Sequence, residues 1–366
     1  MRADELSGGE IAVENPSDIE TVLRELWRAS EEGGEGSSSV IRSCQGNLIA
    51  FTLEERAQAV SATLADLSRE RPSRIMLIAY DAKNQEQFPR AFVGTLCHLT
   101  APGEAQVCCE MIHIRCGPNA LEHLPGMVRP LLEPDLCTAL WWDAPFRGHE
   151  ESFTPLAQEA NTIIVDSATE QPGPLTFSAL FEQKVYLDLA WTRTHQWRRA
   201  LARIYEDLIL RPALSCIKSA TFESAAQSNG TIGPSALYLA GWLAGQLGWK
   251  IIRKIEKRDG EMFALARGKC GDVDLHFIES EFPMSGMHII SDGPSVTEVE
   301  LRLIAGGERL EERITVAESC PLPRATALEC PNTARELGYL LEKQSPDAIF
   351  QRALHKACAI IEGEES

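Results

Sequence analysis

The sequence predicts an α/β protein, with an N-terminal mixed-sheet α/β layer domain followed by a helical segment and an α+β domain with an antiparallel meander. Apolar strand-like runs alternate with amphipathic helical stretches over residues 40–170. The pattern is helical over residues 175–248, and the apolar period returns to two afterwards. The length of 366 residues allows about two or three domains. We therefore divide the chain into residues 1–39, 40–170 and 171–366.

The first segment predicts one amphipathic helix and a flexible connection. Ser17 and Glu20 form a capping box, and apolar side chains follow at helical spacing, so a helix should cover about residues 18–29. Residues 31–39 are rich in Gly and Ser, which is typical of a flexible tether. Ten acidic and three basic side chains lie within residues 1–40. The helix can dock on its own chain or on a partner, and both alternatives stay open.

The α/β layer domain begins with one βαβ unit. Its first strand covers residues 47–51, and a helix with the capping box Thr52/Glu55 follows and ends before Pro72. The second strand, two antiparallel strands joined by a short turn, a helix, a strand, a helix and a last strand come next. We predict them, in this order, at residues 74–79, 91–99, 106–115, 118–132, 136–142, 153–160 and 162–166.

The third region predicts helices first and strands afterwards. Helical patterns cover residues 177–205 and 234–247. A hairpin with an Asp-Gly turn follows, and further antiparallel strands extend it as a meander. We predict these strands at residues 250–258, 261–267, 273–279, 287–290, 298–305 and 310–316. In the helical end of the chain, Ser345-Pro346 should cap a final helix that reaches Ile361.

Charge and composition exclude several classes of function. The formal charge is −18 and the pI is near 5.0, so nothing supplies the counterion release on which nucleic-acid binding depends. The longest apolar runs end well before the ~20 residues that a membrane span needs. The acidic start of the chain has no apolar segment of the kind found in secretory signals. We expect a cytoplasmic protein that binds neither nucleic acid nor membrane.

The eleven cysteines predict reduced thiols, because their number is odd and they are scattered through a chain without an export signal. Cys320 and Cys330 flank a Pro-rich loop and are the first pair to test for thiol chemistry. The nearest approach to a metal site lacks the usual Cys-x-x-Cys spacing, so buried structural thiols are the favoured interpretation and no metal is expected. That cluster consists of Cys97, His98, Cys108, Cys109, His113 and Cys116.

Motifs of common enzyme classes are absent from the sequence. A dinucleotide-binding turn needs glycine after the first strand, and the chain has Thr52-Leu53-Glu54-Glu55 there. Neither a P-loop, a nucleophile elbow nor a zinc-protease helix occurs. The sequence therefore predicts neither a cofactor nor a catalytic residue.

One candidate functional feature is the string Trp141-Trp142-Asp143 at the end of a predicted strand. The carboxyl edge of an α/β sheet is where functional groups usually lie. Adjacent residues of a strand face opposite sides. One indole should therefore lie at the surface or against another domain.

A second feature is a basic stripe on an acidic protein. Arg199 follows His195 by four residues, and Arg203 follows Arg199 by four, so these side chains share one face of a helix. The stripe is either a solvated face or a contact with an anion or a partner, since Arg and Trp dominate interface hot spots. Its members and neighbours are Trp191, Arg193, His195, Trp197, Arg198, Arg199 and Arg203.

Seven strings, in order, resemble the glucose-6-phosphate dehydrogenase assembly protein family (OpcA). The similarity runs from about Arg42 to Ala357 and so covers most of the chain. The strings are Arg71-Pro72-Ser73-Arg74, Val107-Cys108-Cys109-Glu110, residues 131–136 running into Leu140-Trp141-Trp142, residues 163–167, residues 188–193, Trp197-Arg198, and residues 239–244 with Leu247-Gly248-Trp249.

The resemblance implies a non-catalytic partner of glucose-6-phosphate dehydrogenase, which would promote the active oligomer of that enzyme in the oxidative pentose phosphate pathway. Two alternatives stay open. One is an enzyme of the lactonase or isomerase class that uses the Arg stripe as a phosphate clamp and His113, His195 or Glu110 as acid–base groups. The other is a stand-alone metabolite sensor. The candidates for partner contact are Trp141, Trp142, Asp143, Trp191, Arg193, Trp197, Arg198 and Trp242.

Overall fold

The structure is a computed structural model. It describes residues 11–13, 16–32, 40–99, 106–146, 149–169, 184–227, 230–258, 261–293, 295–317, 319, 322–343 and 345–363. Its strands are β1 (Ile11–Val13), β2 (Val40–Arg42), β3 (Asn47–Leu53), β4 (Arg74–Tyr80), β5 (Arg90–Leu99), β6 (Gln106–Cys116), β7 (Thr138–Asp143), β8 (Thr162–Val165), β9 (Val185–Asp188), β10 (Ile217–Ser224), β11 (Lys250–Arg258), β12 (Glu261–Gly268), β13 (Gly271–Glu279), β14 (Gly286–Asp292), β15 (Val296–Ile304), β16 (Arg309–Val316) and β17 (Arg324–Ala327).

Its α-helices are α1 (Ile19–Glu32), α2 (Ala57–Glu70), α3 (Leu124–Val128), α4 (Glu150–Glu159), α5 (Leu189–Arg193), α6 (His195–Tyr205), α7 (Pro234–Leu247), α8 (Thr333–Leu341) and α9 (Ala348–Glu362). The predicted α/β class is therefore confirmed. The described residues form two compact units. Those within 1–166, 181–187 and 332–344 belong to the first unit, and those within 167–180, 188–331 and 345–366 belong to the second.

The first unit is built on a mixed sheet in the order β1-β5-β6-β4-β3-β7-β8-β9, with β2 beside β6. Strands β6, β4, β3, β7 and β8 are parallel to their neighbours, and β5 and β1 add antiparallel pairs at one edge. The consecutive strands β3 and β4 lead to one side of the sheet, whereas β7 and β8 lie on the other side of β3. The strand order therefore reverses between β3 and β7.

The central parallel strands are buried on both faces. Six successive residues of β3, of β4 and of β7 are buried, as expected for a parallel sheet covered by helices on both sides. The helix after β3 has a single apolar stripe, in which Val60, Leu64 and Leu67 are buried at helical spacing. Continuous apolar runs in the strands and one stripe in the helix are what the sequence pattern predicted.

The N-terminal helix docks on its own chain, which is one of the two alternatives that the sequence left open. Helix α1 packs against β5 and buries Ile19, Leu23 and Trp27 on one face. The indole Nε1 of Trp27 donates a hydrogen bond to Glu110 Oε1 at 2.6 Å. The tether at residues 33–39 lies outside the described residues.

A buried ion-pair network lies under this helix. The side chains of Arg74 and Glu110 are each 4% exposed, and Arg74 Nη2 lies 2.6 Å from Glu110 Oε2. Arg74 also pairs with Glu20 of α1 at 2.7 Å and with Glu133 at 2.9 Å, and Arg42 pairs with Glu110 at 2.8 Å. Burial alone would lower the pKa of Arg74, but the charges of Glu110 and Glu20 more than offset this effect, so the pKa is raised.

The second unit is built on a sheet in the order β11-β12-β13-β10-β14-β15-β16-β17. The predicted hairpin is confirmed, since β11 and β12 pair antiparallel; its turn at residues 259–260 lies outside the described residues. The uninterrupted meander is wrong, because β10 lies between β13 and β14 and is parallel to β13. Strand β10 falls in the region predicted to be helical. Its buried side chains alternate, with Ala220, Phe222 and Ser224 on the covered face.

Three further local expectations are corrected. The stretch at residues 118–132 contains the short helix α3 between two 3₁₀ turns and not one continuous helix. The helix predicted over 177–205 begins only at Leu189. Its residues 185–188 form β9, whose start is held by Lys184 Nζ donating to three carbonyls, and residues 177–183 lie outside the described residues. The last helix is capped by Asp347, whose Oδ1 accepts from the backbone N–H groups of Ile349 and Phe350.

Thr52 does not cap a helix. It is the sixth residue of β3, and its hydroxyl donates to the carboxylate of Asp143 at 2.9 Å. A 3₁₀ turn at Glu54–Arg56 separates the strand from α2. The capping box expected at Thr52/Glu55 is therefore wrong, because the threonine side chain is engaged across the sheet.

Two disulfides contradict the expectation that all cysteines are reduced. Cys97 and Cys108 lie directly opposite each other on β5 and β6, and Cys216 is bonded to Cys270. The strand pairing brings the first pair together, which the even scatter of cysteines along the sequence does not reveal. Burial raises the pKa of Cys109 to about 11 and that of Cys116 to about 12, so both thiols are protonated at neutral pH. Cys330 is a free, exposed thiol, and Cys320 lies outside the described residues.

Helices α7 and α9 pack closely in the second unit, and Gly241 permits the contact. A Cβ atom at position 241 would lie 2.2 Å from the carbonyl oxygen of Ala353 and 2.8 Å from the backbone nitrogen of Ala357. Side chains cannot occupy such distances, so the glycine in the string Leu239–Ala244 has a packing role.

We expect Gly241→Ala to lower the free energy of unfolding by about 1–3 kcal/mol, because one added methyl group overpacks the α7–α9 contact. Gly245→Ala is the matched control. Its Cβ would meet its nearest atoms, in Arg352, at 3.5 Å, and alanine is favoured over glycine in a helix. Thermal or urea unfolding measures both variants. Equal stability of the two would contradict the packing role of Gly241.

Candidate functional site

The carboxyl edge of the parallel sheet in the first unit is the place where open α/β sheets bind ligands, because the strand order reverses there. Strands β3 and β7 meet at this point, with Thr52 directly opposite Asp143. The site therefore contains the end of the string Trp141-Trp142-Asp143, as the sequence predicted for this edge.

Arg56 and Asp143 form a two-point ion pair at this position. Arg56 Nε lies 2.8 Å from Asp143 Oδ2, and Arg56 Nη2 lies 2.9 Å from Asp143 Oδ1. The hydroxyl of Thr52 donates to the same Oδ2. The hydrogen bond to Asp143 raises the pKa of Arg56 and outweighs the lowering by burial. Both carboxylate oxygens of Asp143 are thus engaged by side chains of the protein itself.

The residues that precede Thr52 and Asp143 in their strands are aromatic. Phe51 and Trp142 stack with ring centroids 4.2 Å apart and an interplanar angle of 3°. The ring of His149 meets the ring of Tyr80 edge-on at 5.0 Å, and burial lowers the pKa of His149. His149 is therefore neutral at physiological pH. The ion pair and the stacked rings thus connect the end of β7 with the end of β3 and with Arg56.

Neither tryptophan of the string lies at the surface. Trp141 is 2% exposed and Trp142 is fully buried. The two indoles follow each other in β7 and so face opposite sides of the sheet, and both are buried. The alternative that one indole is at the surface is therefore wrong.

In the second unit, Trp191 and Arg198 lie together. The guanidinium carbon of Arg198 lies 3.5 Å from the centroid of the buried Trp191 ring, and Arg198 Nε donates to Thr194 Oγ1 at 3.0 Å. Two aromatic rings also lie near the indole, since the ring centroids of Tyr238 and Phe350 lie 6.1 and 5.4 Å from that of Trp191. This cation–π contact stabilises the turn between α5 and α6.

Asp188 organises the start of the same region. Its side chain is fully buried and accepts hydrogen bonds from Tyr238 Oη at 2.6 Å and from the backbone N–H of Ala190 at 2.8 Å. The second contact caps helix α5. Sequence reasoning missed Asp188 and Tyr238 as a pair, because 50 residues separate them.

The other candidates in the second unit have different environments. Arg193 and Trp242 are half-buried, and Trp197 is buried. The basic stripe is partly paired, since Arg203 forms an ion pair with the buried Glu312. His195 and Arg199 are exposed. The stripe is thus partly a structural feature and partly an exposed surface.

An exposed apolar tip follows helix α6 and was not found from the sequence. Leu208 and Ile209 are 77% and 80% exposed. Their turn is ordered by hydrogen bonds, since Asp207 Oδ1 accepts from the N–H of Ile209 at 2.8 Å and the carbonyl of Asp207 accepts from Leu210 and Arg211. These two neighbouring aliphatic side chains form an exposed apolar surface, which makes the tip a candidate contact site.

Within the described parts of the chain, no three His, Cys, Asp or Glu side chains are placed to share a metal ion. No described helix has both the length and the apolar character needed to cross a bilayer. Glu110, which the enzyme alternative used as an acid–base group, is held by Trp27, Arg74 and Arg42.

Two family models match the chain in sequence. Residues 64–180 match the model described as glucose-6-phosphate dehydrogenase subunit N-terminal domain, and residues 184–354 match the corresponding C-terminal domain. A Synechocystis protein named as the OxPP cycle protein OpcA is 24% identical over 352 residues, which cover 87% of this chain and 70% of that protein.

Solved structures with similar backbones include two oxidoreductases. A 3-ketoreductase from Actinomadura kijaniata with bound NADP is 12% identical, with a TM-score of 0.46, and the match covers 85% of this chain and 94% of that chain. An aldose-aldose oxidoreductase from Caulobacter crescentus is 11% identical, with a TM-score of 0.49 and coverage of 86% and 95%. Likenesses at this level say nothing about the function of the chain.

Proposed function

Because the chain belongs to the glucose-6-phosphate dehydrogenase assembly protein family (OpcA), we propose that it is a non-catalytic subunit that binds glucose-6-phosphate dehydrogenase and promotes the active oligomer of that enzyme. It would act in the cytoplasm, in a hetero-oligomer, at the entry of the oxidative pentose phosphate pathway. Neither a cofactor nor a metal takes part in this role.

The match to both domain models in their natural order carries the proposal. The site geometry supports it. At the switch point of the sheet, Arg56 and Asp143 neutralise each other, and the preceding turn presents Glu54 and Glu55 where a pyrophosphate would need glycine and backbone N–H groups. These residues favour a scaffold over a nucleotide site.

An activator of this kind works only through different affinities for two states of its partner. It must bind the active dehydrogenase oligomer more tightly than the inactive form. A difference of about 1.4–3 kcal/mol would change the apparent affinity of the enzyme for its substrate by roughly ten- to 150-fold.

The proposal is tested by mixing the purified chain with its cognate dehydrogenase and measuring kcat, KM and oligomer size. We expect a larger or more stable oligomer together with a lower KM or a higher kcat. Unchanged values in all three would overturn the proposal. A second measurement uses the isolated chain with intermediates of the pathway as substrates. Turnover that is lost in the His195→Ala variant would contradict a non-catalytic role.

The exposed tip after α6 is the first place to look for the contact. It continues the segment in which Arg193 and Arg198 were candidates, and its backbone is already ordered by hydrogen bonds, which lowers the entropy lost on binding. We expect the double substitution of Leu208 and Ile209 to serine to weaken dehydrogenase binding by about tenfold or more, while the free energy of unfolding changes by no more than about 0.5 kcal/mol.

Leu322→Ser is the matched control, because Leu322 is an aliphatic side chain of the same unit and is 92% exposed. It should bind the dehydrogenase like the unmodified chain. Equal binding by the tip variant and the control would show that the tip is not part of the contact.

A further inference from the structure

A groove between helices α7 and α9 is the feature of the second unit that the proposed function does not use. Its volume is 370 Å³, within the range of small-molecule sites. Helix α7 contributes only Gly245 to the lining, so no side chain from that helix enters the groove. Helix α9 contributes Ala348, Gln351, Arg352, His355 and Lys356.

Three basic side chains therefore face one concave space. Positions 352, 355 and 356 are three and four residues apart, which places them on one face of the helix. Among the described residues, neither Arg352 nor His355 has a carboxylate within ion-pair distance. By contrast, Arg42, Arg56 and Arg74 of the first unit are all paired with carboxylates.

The neighbouring strand adds to the positive charge. Helix α9 packs against β11, an edge strand whose Lys250, Arg253, Lys254 and Lys257 are exposed and have no ion pair within the described residues. Its one acidic residue, Glu256, pairs with Arg258 at 2.8 Å. The bases on β11 raise the local positive potential and would draw anions toward the groove.

The start of α9 is not itself the anion-binding element. The N–H groups of Ile349 and Phe350 donate to Asp347, which caps the helix. Recognition must therefore come from the side chains. A guanidinium offers paired donors, an ammonium offers a compact charge and an imidazole can add a third donor, a set that suits the several oxygens of a phosphate group.

We propose that this groove binds a small molecule carrying a phosphate group. The side chains of Arg352, His355 and Lys356 hold the phosphate oxygens, and Gln351 provides a neutral polar contact for the rest of the molecule. The concavity favours a small ligand, whereas an acidic protein surface would contact the exposed bases of β11. The inference goes beyond the proposed function, since assembly with the dehydrogenase does not require it.

Isothermal titration of the full chain with inorganic phosphate, pyrophosphate, glucose 6-phosphate and glucose tests the inference. We expect heat of binding with the three phosphate-bearing probes and none with glucose. The double variant Arg352→Ala/Lys356→Ala should weaken this binding by about tenfold or more, because two charge-assisted contacts are lost. Gly245→Leu should weaken it as well, by filling the groove without a change of charge.

The matched control is Lys254→Ala/Lys257→Ala, which removes the same number of charges from β11. It should change the affinity by less than about threefold, because screened charges outside the groove act only at long range. No binding of any phosphate probe would overturn the inference. An equal loss in the groove and β11 variants would overturn it too, and would indicate a surface for polyanions or acidic proteins. The alanine variants alter the exposed Arg352, Lys254 and Lys257 and the half-buried Lys356, and no fully buried side chain is changed, so the result does not depend on whether Gly245→Leu folds.

Discussion

Trp142→Ala is expected to lower the free energy of unfolding of the first unit by about 3–5 kcal/mol, the range for truncating a fully buried large aromatic side chain. Trp142 is completely inaccessible, stacks on Phe51 and meets Phe153 edge-on at 5.0 Å. Alanine would leave a cavity between β7 and α4 that the neighbouring strands cannot close. Urea unfolding followed by tryptophan fluorescence measures the loss.

Phe88→Ala is the matched control, because Phe88 is an aromatic side chain of the same unit that is 66% exposed. Its removal should change stability by no more than about 0.5 kcal/mol. The Trp142→Ala and Phe88→Ala variants together also distinguish a contact role of Trp142 from a core role. A Trp142→Ala protein with unchanged stability but lost dehydrogenase activation would show a contact residue, whereas a destabilised protein that still activates when folded shows a core residue.

Arg74→Met should also lower the free energy of unfolding by about 3–5 kcal/mol, because it leaves the buried Glu110 with only the half-exposed Arg42 as a cationic partner. The effect extends beyond the sheet, since Arg74 also holds Glu20 of helix α1. We therefore expect α1 to separate from β5 before the rest of the unit unfolds. Hydrogen exchange over residues 19–29 would detect this.

Arg42→Met provides the comparison, because Arg42 pairs with the same carboxylate but has a side chain that is 47% exposed. Its loss should lower stability by no more than about 1 kcal/mol. The double variant Arg74→Met/Glu110→Leu should recover much of the loss, since it removes the uncompensated charge. A double variant as unstable as Arg74→Met would mean that the cost is one of packing and not of charge.

Much of the fold followed from local patterns. The strands around residues 47–51, 74–79 and 91–99 are continuous or alternating apolar runs, and helix α7 is an uninterrupted helical sequence with Gly248 at its end. Strand β10 was missed because Lys218, Ser219 and Thr221 dilute its apolar side chains. The position of β10 between β13 and β14 depends on pairing over long range, which no local pattern encodes.

For the candidate sites, too, local sequence patterns located single residues but not their long-range partners. Asp143 was correctly placed at the carboxyl edge of the sheet, but its partner Arg56 lies 87 residues earlier and was visible only once β3 and β7 were neighbours. The tryptophans were chosen because their residue type dominates interfaces, and their burial depends on which elements cover each face. The groove on α9 could have been noticed as Arg352, His355 and Lys356 at helical spacing, but Gly245 as its opposite wall could not.

The path of the chain between the two units has a practical consequence. Residues 332–344 belong to the first unit, although most of the second unit precedes them in the sequence. In this segment α8 packs against α2, and Leu337 and Leu340 are buried. A gene fragment that ends before residue 332 would encode α2 without α8. A fragment that begins with the second unit would contain α8 without α2. The residue ranges of the two units alternate along the chain, so no single cut separates one complete unit from the other.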